Sequence, residues 1–512
     1  MRAAFSVEDF TDTQPWLARV ALFVIGALTM LSFAPVNFWP LALVSAVVIL
    51  YVFRHCRPDQ AAKLGFAYGA GLFLTGTYWL YISIHVFGQA PLILAMFLMV
   101  ALVIIMALYY AGAGWLIARF RPLSAAGFVI VAPSIWVALE WLRGWFLSGF
   151  PWMTLGYSQI DSPLAGFAPV AGIYGISLML LLSAAALVVL VAGESVKARP
   201  LHAAIVLLPW LAGFGLDEVE WTEVSGDSVR TTIVQGGISQ DRKWLREQFQ
   251  DTIALYGQSL RDNPDSDLIV WPEVAIPAVL DQVGGFVDLF EQQIAPNETT
   301  LLFGILERSD DRENVYNSVV AIDGEQTQIY RKRHLVPFGE YFPVPDFVRS
   351  WMRMMNLPYS DISAGADRQP LLRMRDGNQL AVAICYEDAY AAEQLYALPD
   401  ATILINISND AWFGDSIAPH QHLQIARMRA KEVERYVVRS TNNGVSAFIG
   451  PDGSLLEIGS QFEFVSMTRD ITPRSGSTPY AITGNLWIIL FCVITPVVAG
   501  YRLRQRKIQS SN

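Results

Sequence analysis

The stretch Gln379-Leu380-Ala381-Val382-Ala383-Ile384-Cys385-Tyr386-Glu387 decides how this chain is read. Its apolar run is too short for an ordinary helix and reads as a strand buried on both faces. A thiol stands at the strand's end, and a carboxylate follows two residues later. Two other junctions have the same form. Leu268-Ile269-Val270-Trp271-Pro272-Glu273 is an apolar strand that ends in an acid. Tyr330-Arg331-Lys332-Arg333-His334-Leu335-Val336-Pro337-Phe338-Gly339-Glu340 is a basic cluster, then a turn, then a second acid. Singly these are weak signs. A carboxylate after a strand is more often a cap or an ion-pair partner, and a lysine among arginines is usually a solvated face. Together they supply a nucleophile, a base and an oxyanion stabiliser, the three roles of acyl transfer.

Outward from these junctions, the pattern alternates short apolar runs with helical stretches. Strands are expected at 230–235, 268–271, 300–305, 315–322, 379–384, 402–407 and 445–450. Helices are expected at 243–261, 284–294, 389–397 and 420–435. This is an α/β domain whose loaded residues follow its strands, where open α/β sheets place their sites. Its limits come from charge. Residues 217–484 hold 39 acidic and 22 basic side chains, a net of −17, whereas the rest of the 512-residue chain holds 7 and 14, a net of +7. The expected division is therefore a membrane domain over 1–216, an outer domain over 217–484, and a last span with a basic tail over 485–512.

Only 16% of the whole chain is charged, against roughly 25% in soluble domains, which excludes a single soluble globule and a disordered chain. Apolar runs suggest seven spans at 17–34, 39–53, 63–84, 91–118, 123–142, 164–192 and 201–216, and an eighth at 485–501. The first is read as a retained span rather than a cleaved leader, because Pro35 follows Ala34 where cleavage would fall. Basic residues cluster in alternate connections: Arg54, Arg57 and Lys63; Arg119 and Arg121; Lys197 and Arg199; and Arg502, Arg504, Arg506 and Lys507 after the last span. The other connections hold one basic residue, Arg143. The positive-inside rule then puts both termini in the cytoplasm and 217–484 outside. Glu140 and Arg143, three apart on a helix, are expected to pair with each other, with recognition of a lipid headgroup as the other reading.

Cys56 and Cys492 fall at or inside spans, so Cys385 is alone in the outer domain. It is either an inert core thiol or a nucleophile. With its surroundings it resembles the nitrilase superfamily of carbon–nitrogen hydrolases, whose Glu, Lys and Cys match Glu273, Lys332 and Cys385 in order. Gly149-Phe150-Pro151-Trp152, Gly156-Tyr157-Ser158-Gln159, the stretch His334 to Glu340, Ser408 to Gly414 and Arg439 to Gly444 are similar to the apolipoprotein N-acyltransferase family. So is the layout of spans, outer domain and last span.

The resemblance implies an α-helical membrane domain of eight transmembrane helices joined to an α/β nitrilase-like αββα sandwich. It implies a bacterial inner-membrane enzyme, its catalytic domain in the periplasm, acting as a monomer. An acyl chain would pass from a phospholipid to the amino group of a diacylglyceryl-cysteine apolipoprotein, through a thioester on Cys385. Glu273 would be the base, Lys332 the oxyanion donor and Glu340 an orienting second glutamate. Tyr386 and Glu387 would shape the nucleophile's turn, Glu387 alternatively being only an arginine's partner. Trp244, Trp412 and Asn409 are substrate-side candidates, with core packing or turn capping as the plainer readings. The stretch 343–362 carries Trp351, Met354 and Met355 and reads either as a packed helix or as an interfacial arm. His420 and His422 lack further ligands at metal spacing, so neither metal nor cofactor is expected, and no nucleic-acid partner. A membrane-tethered amidase would share the triad, and a transporter or receptor would not need it.

Overall fold

A computed structural model describes residues 7–193, 198–324, 326–341 and 362–511. They form two compact units. The helical unit comprises Met1–Glu220, Asp415–Gln424 and Ile482–Asn512, and the α/β unit comprises Trp221–Gly414 and Ile425–Ala481.

The helical unit contains α1 (Pro15–Thr29), α2 (Pro40–His55), α3 (Pro58–Gly76), α4 (Leu92–Arg119), α5 (Ala125–Trp145), α6 (Ala168–Ala192), α7 (Arg199–Asp217) and a terminal helix, Leu486–Ser511. Pro15, Pro40 and Pro58 open the first three, since the missing N–H has no partner to lose in a first turn. Among the described residues six helices are long and apolar enough to cross a membrane, and a seventh span is α3 continued by Trp79–Phe87 through a bend of 52°. The remaining expected span, α2, has 16 residues. At ~1.5 Å per residue it is shorter than the ~30 Å hydrocarbon core.

Without a hydrophobic drive in lipid, such helices associate by close backbone approach and buried hydroxyls. A Cβ on Gly26 of α1 would lie 2.0 Å from the Tyr68 carbonyl oxygen of α3, and one on Gly65 would lie 2.3 Å from that of Tyr110 in α4. Thr29, Ser45 and Tyr68 form a buried hydroxyl cluster, with 2.9 Å between Ser45 Oγ and the Tyr68 hydroxyl. Glu140 and Arg143 are both buried, and both turn to one loop. Arg143 donates to the carbonyls of Phe150 and Trp152 at 2.6 Å each and to Thr154 Oγ1 at 3.1 Å, while Glu140 accepts from the Leu155 amide at 3.1 Å. The expected ion pair is thus first of all a clamp on the 150–155 backbone. The segment Asp415–Gln424 belongs to this unit through its glutamines. Gln421 accepts from the indole N–H groups of Trp79 and Trp152 at 3.2 and 2.9 Å, and Gln424 accepts from the Ala34 amide at 3.2 Å.

In the α/β unit the described strands are β1 (Thr222–Val224), β2 (Val229–Gln235), β3 (Leu268–Val270), β4 (Ile276–Val279), β5 (Thr300–Arg308), β6 (Val315–Ile322), β7 (Thr327–Arg331), β8 (Leu372–Arg373), β9 (Gln379–Ile384), β10 (Ile403–Ser408), β11 (Val437–Thr441), β12 (Ala447–Ile449), β13 (Leu455–Ile458), β14 (Val465–Ile471) and β15 (Arg474–Gly476). One sheet runs β14-β2-β3-β5-β6-β7 with β4 also on β5; the second runs β13-β12-β11-β10-β9-β8; β1 and β15 pair separately. β2, β3 and β5 are mutually parallel, as are β9, β10 and β11.

The sheets pack face to face. Ile233, Leu268, Val270, Leu302 and Val319 of one meet Leu380, Val382, Ile384, Ile403, Ile405 and Val438 of the other. Intervening residues of the first sheet, Ile269, Leu301, Phe303 and Val320, pack with Ile253, Tyr256 and Leu260 of α9 (Arg246–Asp262) and Phe290 and Ile294 of α10 (Gly284–Ile294). Between parallel β10 and β11 runs α11 (Ala418–Val433). The inner face being filled, this crossover covers the outer face of the second sheet, which completes an αββα sandwich. The helix expected over 389–397 is instead one turn, Ala391–Gln394, between 3₁₀ turns.

Candidate active site

The three junctions converge in the α/β unit. Glu273 lies in the turn between β3 and β4, Lys332 directly after β7, and Cys385 directly after β9. Two of these turns are strained. Cys385 has φ +51° and Val274, beside Glu273, has φ +45°. Non-glycine residues rarely adopt this region, a β-branched one least of all, and such strain gathers at functional sites. Here it turns the thiol out of the line of its strand. Gly304 of β5 permits the other turn: a Cβ there would meet the Glu273 Cα at 2.6 Å and the Val274 nitrogen at 2.5 Å. A glycine inside the run TLLFGI was the sign of this close approach, and the sequence reading passed over it.

Lys332 is buried. Its Nζ lies 2.8 Å from Glu340 Oε1 and 3.6 Å from Glu273 Oε1. The two carboxylates also share one amide, Asn317 Nδ2, at 2.7 Å from Glu273 and 3.1 Å from Glu340. The second oxygen of Glu273 accepts from the Asn409 main-chain N–H at 2.7 Å, and that of Glu340 from the Val336 N–H at 2.8 Å. Burial would lower the Lys332 pKa, but Glu340 and Glu273 outweigh it and hold the ammonium charged. Cys385 is pushed up from the usual thiol value, by burial first and by the Glu273 carboxylate, while Lys332 and a hydrogen bond from Ser408 oppose the shift. Cys385 is therefore held as a thiol, on which Glu273 and Lys332 both act electrostatically.

The other expected residues divide. Glu387 is fully buried and accepts from the amides of Ile384 at 2.7 Å, Arg333 at 2.7 Å and His334 at 3.2 Å, and from the Tyr330 hydroxyl. It is neither a simple arginine partner nor a free base; it ties the Cys385 turn to the Lys332 segment. Burial raises its pKa, against the hydrogen bonds from Ile384 and Arg333. Tyr386 packs edge-on against Tyr390, on which His334 stacks at 3.6 Å. Asn409 holds Glu273 with its backbone, and its side chain is committed to Gln240 at 2.9 Å and Asn442 at 3.1 Å. Trp244 and Trp412 are 52% and 40% exposed, so neither is a core aromatic. Trp351, Met354 and Met355 lie outside the described residues. His422 is buried against Trp152 in the helical unit. Among the described residues no group of histidine, cysteine and acidic side chains has the geometry to hold a metal.

Two further buried residues had no role in the sequence reading. Arg439 lies fully buried in β11, with Asp410 at 2.8 Å, Asp388 at 3.5 Å and Asn406 as partners, and so braces the loop after β10. Lys243 is buried beside the Glu273 turn.

Comparison with known proteins extends this geometry. Residues 25–186 match the apolipoprotein N-acyltransferase N-terminal domain, and residues 230–480 match the carbon-nitrogen hydrolase family. The chain is 38% identical over 494 residues to the apolipoprotein N-acyltransferase of Vibrio parahaemolyticus, covering 94% of this chain and 96% of that one. It is 40% identical over 471 residues to that of Nitrosomonas europaea, covering 91% and 93%. Among solved structures, Saccharomyces cerevisiae Nit3, a member of branch 10 of the nitrilase superfamily, aligns with a TM-score of 0.38 and 18% identity over 49% of this chain and 93% of that chain. With relatives this similar over nearly its full length, the chain belongs to the apolipoprotein N-acyltransferase family.

Proposed function

We propose that this chain transfers an acyl chain from a phospholipid to the α-amino group of the N-terminal diacylglyceryl-cysteine of apolipoproteins, by ping-pong through a thioester on Cys385. The observation that carries the reading is the buried Glu273–Lys332–Glu340 cluster, brought together with a thiol on a strained turn, in a chain whose other unit contains membrane-length apolar helices. Glu273 takes the Cys385 proton, and the thiolate attacks the phospholipid ester carbonyl. Lys332 donates to the tetrahedral oxyanion, with Glu340 holding its ammonium in place. The intermediate collapses to the thioester, and Glu273 returns its proton to the departing lysophospholipid alkoxide. In the second half Glu273 deprotonates the incoming amine. The amine displaces the thiolate, which recovers the proton.

In this reading Tyr386 and Glu387 keep the nucleophile's turn in place, and Trp244, Trp412 and Asn409 border the substrates. Trp351, Met354 and Met355 are further substrate-side residues. Residues 217–484 form the catalytic domain on the periplasmic side of a bacterial inner membrane, 1–216 and 485–512 carry the spans, both termini are cytoplasmic, and the enzyme works as a monomer.

The test is incubation of the purified protein with labelled phospholipid and a diacylglyceryl-cysteine peptide. A hydroxylamine-sensitive acyl adduct on Cys385, chased onto the peptide, is expected. Fatty acid released without acylated peptide would establish the amidase-like alternative, and an adduct on another residue would overturn the assignment of the nucleophile.

A further inference from the structure

Two carboxylates, Glu273 and Glu340, share a single lysine and a single asparagine amide in a buried site. Like charges so placed drive a proton onto one of them unless a second cation is near. A protonated Glu273 could not accept the thiol's proton. The geometry points to Lys243 as that second cation. It ends the one-turn helix α8 (Gln240–Lys243) and is 1% exposed, whereas its neighbours Asp241, Arg242 and Trp244 are exposed. Lysine is almost never this buried without a charged partner. Its Nζ donates to the Glu273 carbonyl oxygen at 3.1 Å. Gln240, on the same turn of helix, accepts from the Asn409 side chain, and the Asn409 main-chain N–H in turn holds the Glu273 carboxylate. One helical turn thus grips Glu273 from both its backbone and its carboxylate side.

We propose that Lys243 is a positioning residue for Glu273, a second buried cation that lets both carboxylates of the site stay ionised at once. With Lys332 and Lys243 charged and both glutamates ionised, the cluster is neutral. Passing the Cys385 proton to Glu273 leaves that sum unchanged, so no net charge is buried during the step. Burial lowers Lys243 to about 8, with Glu273 opposing the fall, so it is still charged at neutral pH. This role rests on Glu273 being the base that ionises Cys385.

The test uses full-length protein carrying Cys56→Ala and Cys492→Ala, so that Cys385 is the one thiol. The rate of Cys385 alkylation by iodoacetamide is followed from pH 5 to 10. Lys243→Gln keeps a hydrogen-bond donor but removes the charge. Its acid limb should move up by about one pH unit, because Glu273 then binds its proton more tightly. Lys243→Arg should keep the acid limb in place. It should also lose a step near pH 8 at which, in the parent, loss of the Lys243 charge makes Glu273 a stronger base. An acid limb for Lys243→Gln superimposed on the parent's would overturn the proposal, even if the rate fell uniformly. Should Lys243→Gln not accumulate, the parent and Lys243→Arg decide alone: profiles that coincide around pH 8 would overturn it. Phospholipid labelling in the same proteins separates this outcome from a failure of the wider reading. An acyl adduct on Cys385 with coincident profiles sinks only the role of Lys243, while an adduct elsewhere sinks the mechanism on which that role depends.

Discussion

Both units bury charge, and they spend it differently. In the helical unit Arg143 and Glu140 both bond to the backbone of one loop, 150–155, and Arg143 also to a hydroxyl of that loop. In the α/β unit Glu273, Lys332 and Glu340 are held chiefly by one another and by a shared amide. A buried charge whose partners are fixed backbone dipoles has one useful state, and its work is structural. A buried charge whose partners titrate can exchange protons with them, and its work can be chemical.

The sharpest way to break this contrast is at the thiols. Cys385→Ala should abolish the acyl adduct seen by mass spectrometry, whereas Cys56→Ala and Cys492→Ala, both buried in the helical unit, should retain it. An adduct surviving in Cys385→Ala would remove the chemistry from the α/β unit. Next, Lys332→Met should slow acyl-enzyme formation by about 10²–10³-fold, the usual worth of an oxyanion donor. It should also leave two carboxylates facing each other, so single-turnover rates should recover in part at higher pH as the trapped proton is lost. Gly304→Ala tests whether the base must be placed closely. Its Cβ would sit 2.5–2.6 Å from the Glu273 turn, and the shift of about 1 Å that relieves this clash should cost about 10²-fold in acylation rate. Unchanged kinetics would show that the turn can move freely. Smallest in its effect on chemistry is Arg143→Met. It orphans buried acceptors and should lower stability by about 1–3 kcal/mol, read as a fall in Tm, while Cys385 in the folded fraction still acquires its acyl group. Loss of the adduct at full stability would move Arg143 from structure into function.

Most of the sandwich could be read in the sequence because strands buried on both faces are plain apolar runs: β3, β6 and β9 stand out as LIV, VYNSVVAI and QLAVAI. β11 did not, because Arg439 interrupts its run, and only the tertiary partners Asp410, Asp388 and Asn406 make that arginine a core residue. β14 was hidden for another reason. Its Arg469 and Asp470 face solvent, so the segment reads as polar although Met467 and Ile471 are core. Glu273, Lys332 and Cys385 stood out in the sequence because each ends or follows a strand. Their buried polar neighbours did not. Asn317 lies in the middle of β6, and Lys243 sits beside the exposed Trp244, which drew attention to itself by type. Glu140 and Arg143 were correctly singled out as partnered, but helical spacing pointed to each other and could not foresee the loop they hold.

The ten residues Asp415–Gln424 have a consequence for biogenesis. The helical unit is assembled from three separate pieces of chain, the second of which is synthesised inside the stretch that makes the α/β unit, and the third after it. The first seven helices can therefore insert as the ribosome produces them, yet Gln421, which accepts from the indoles of Trp79 and Trp152, arrives only when most of the protein has been made. Maturation cannot run domain by domain from the N-terminus. A ribosome-stalled product ending before residue 415 should carry a helical unit that is still open, with its last polar contacts unmade.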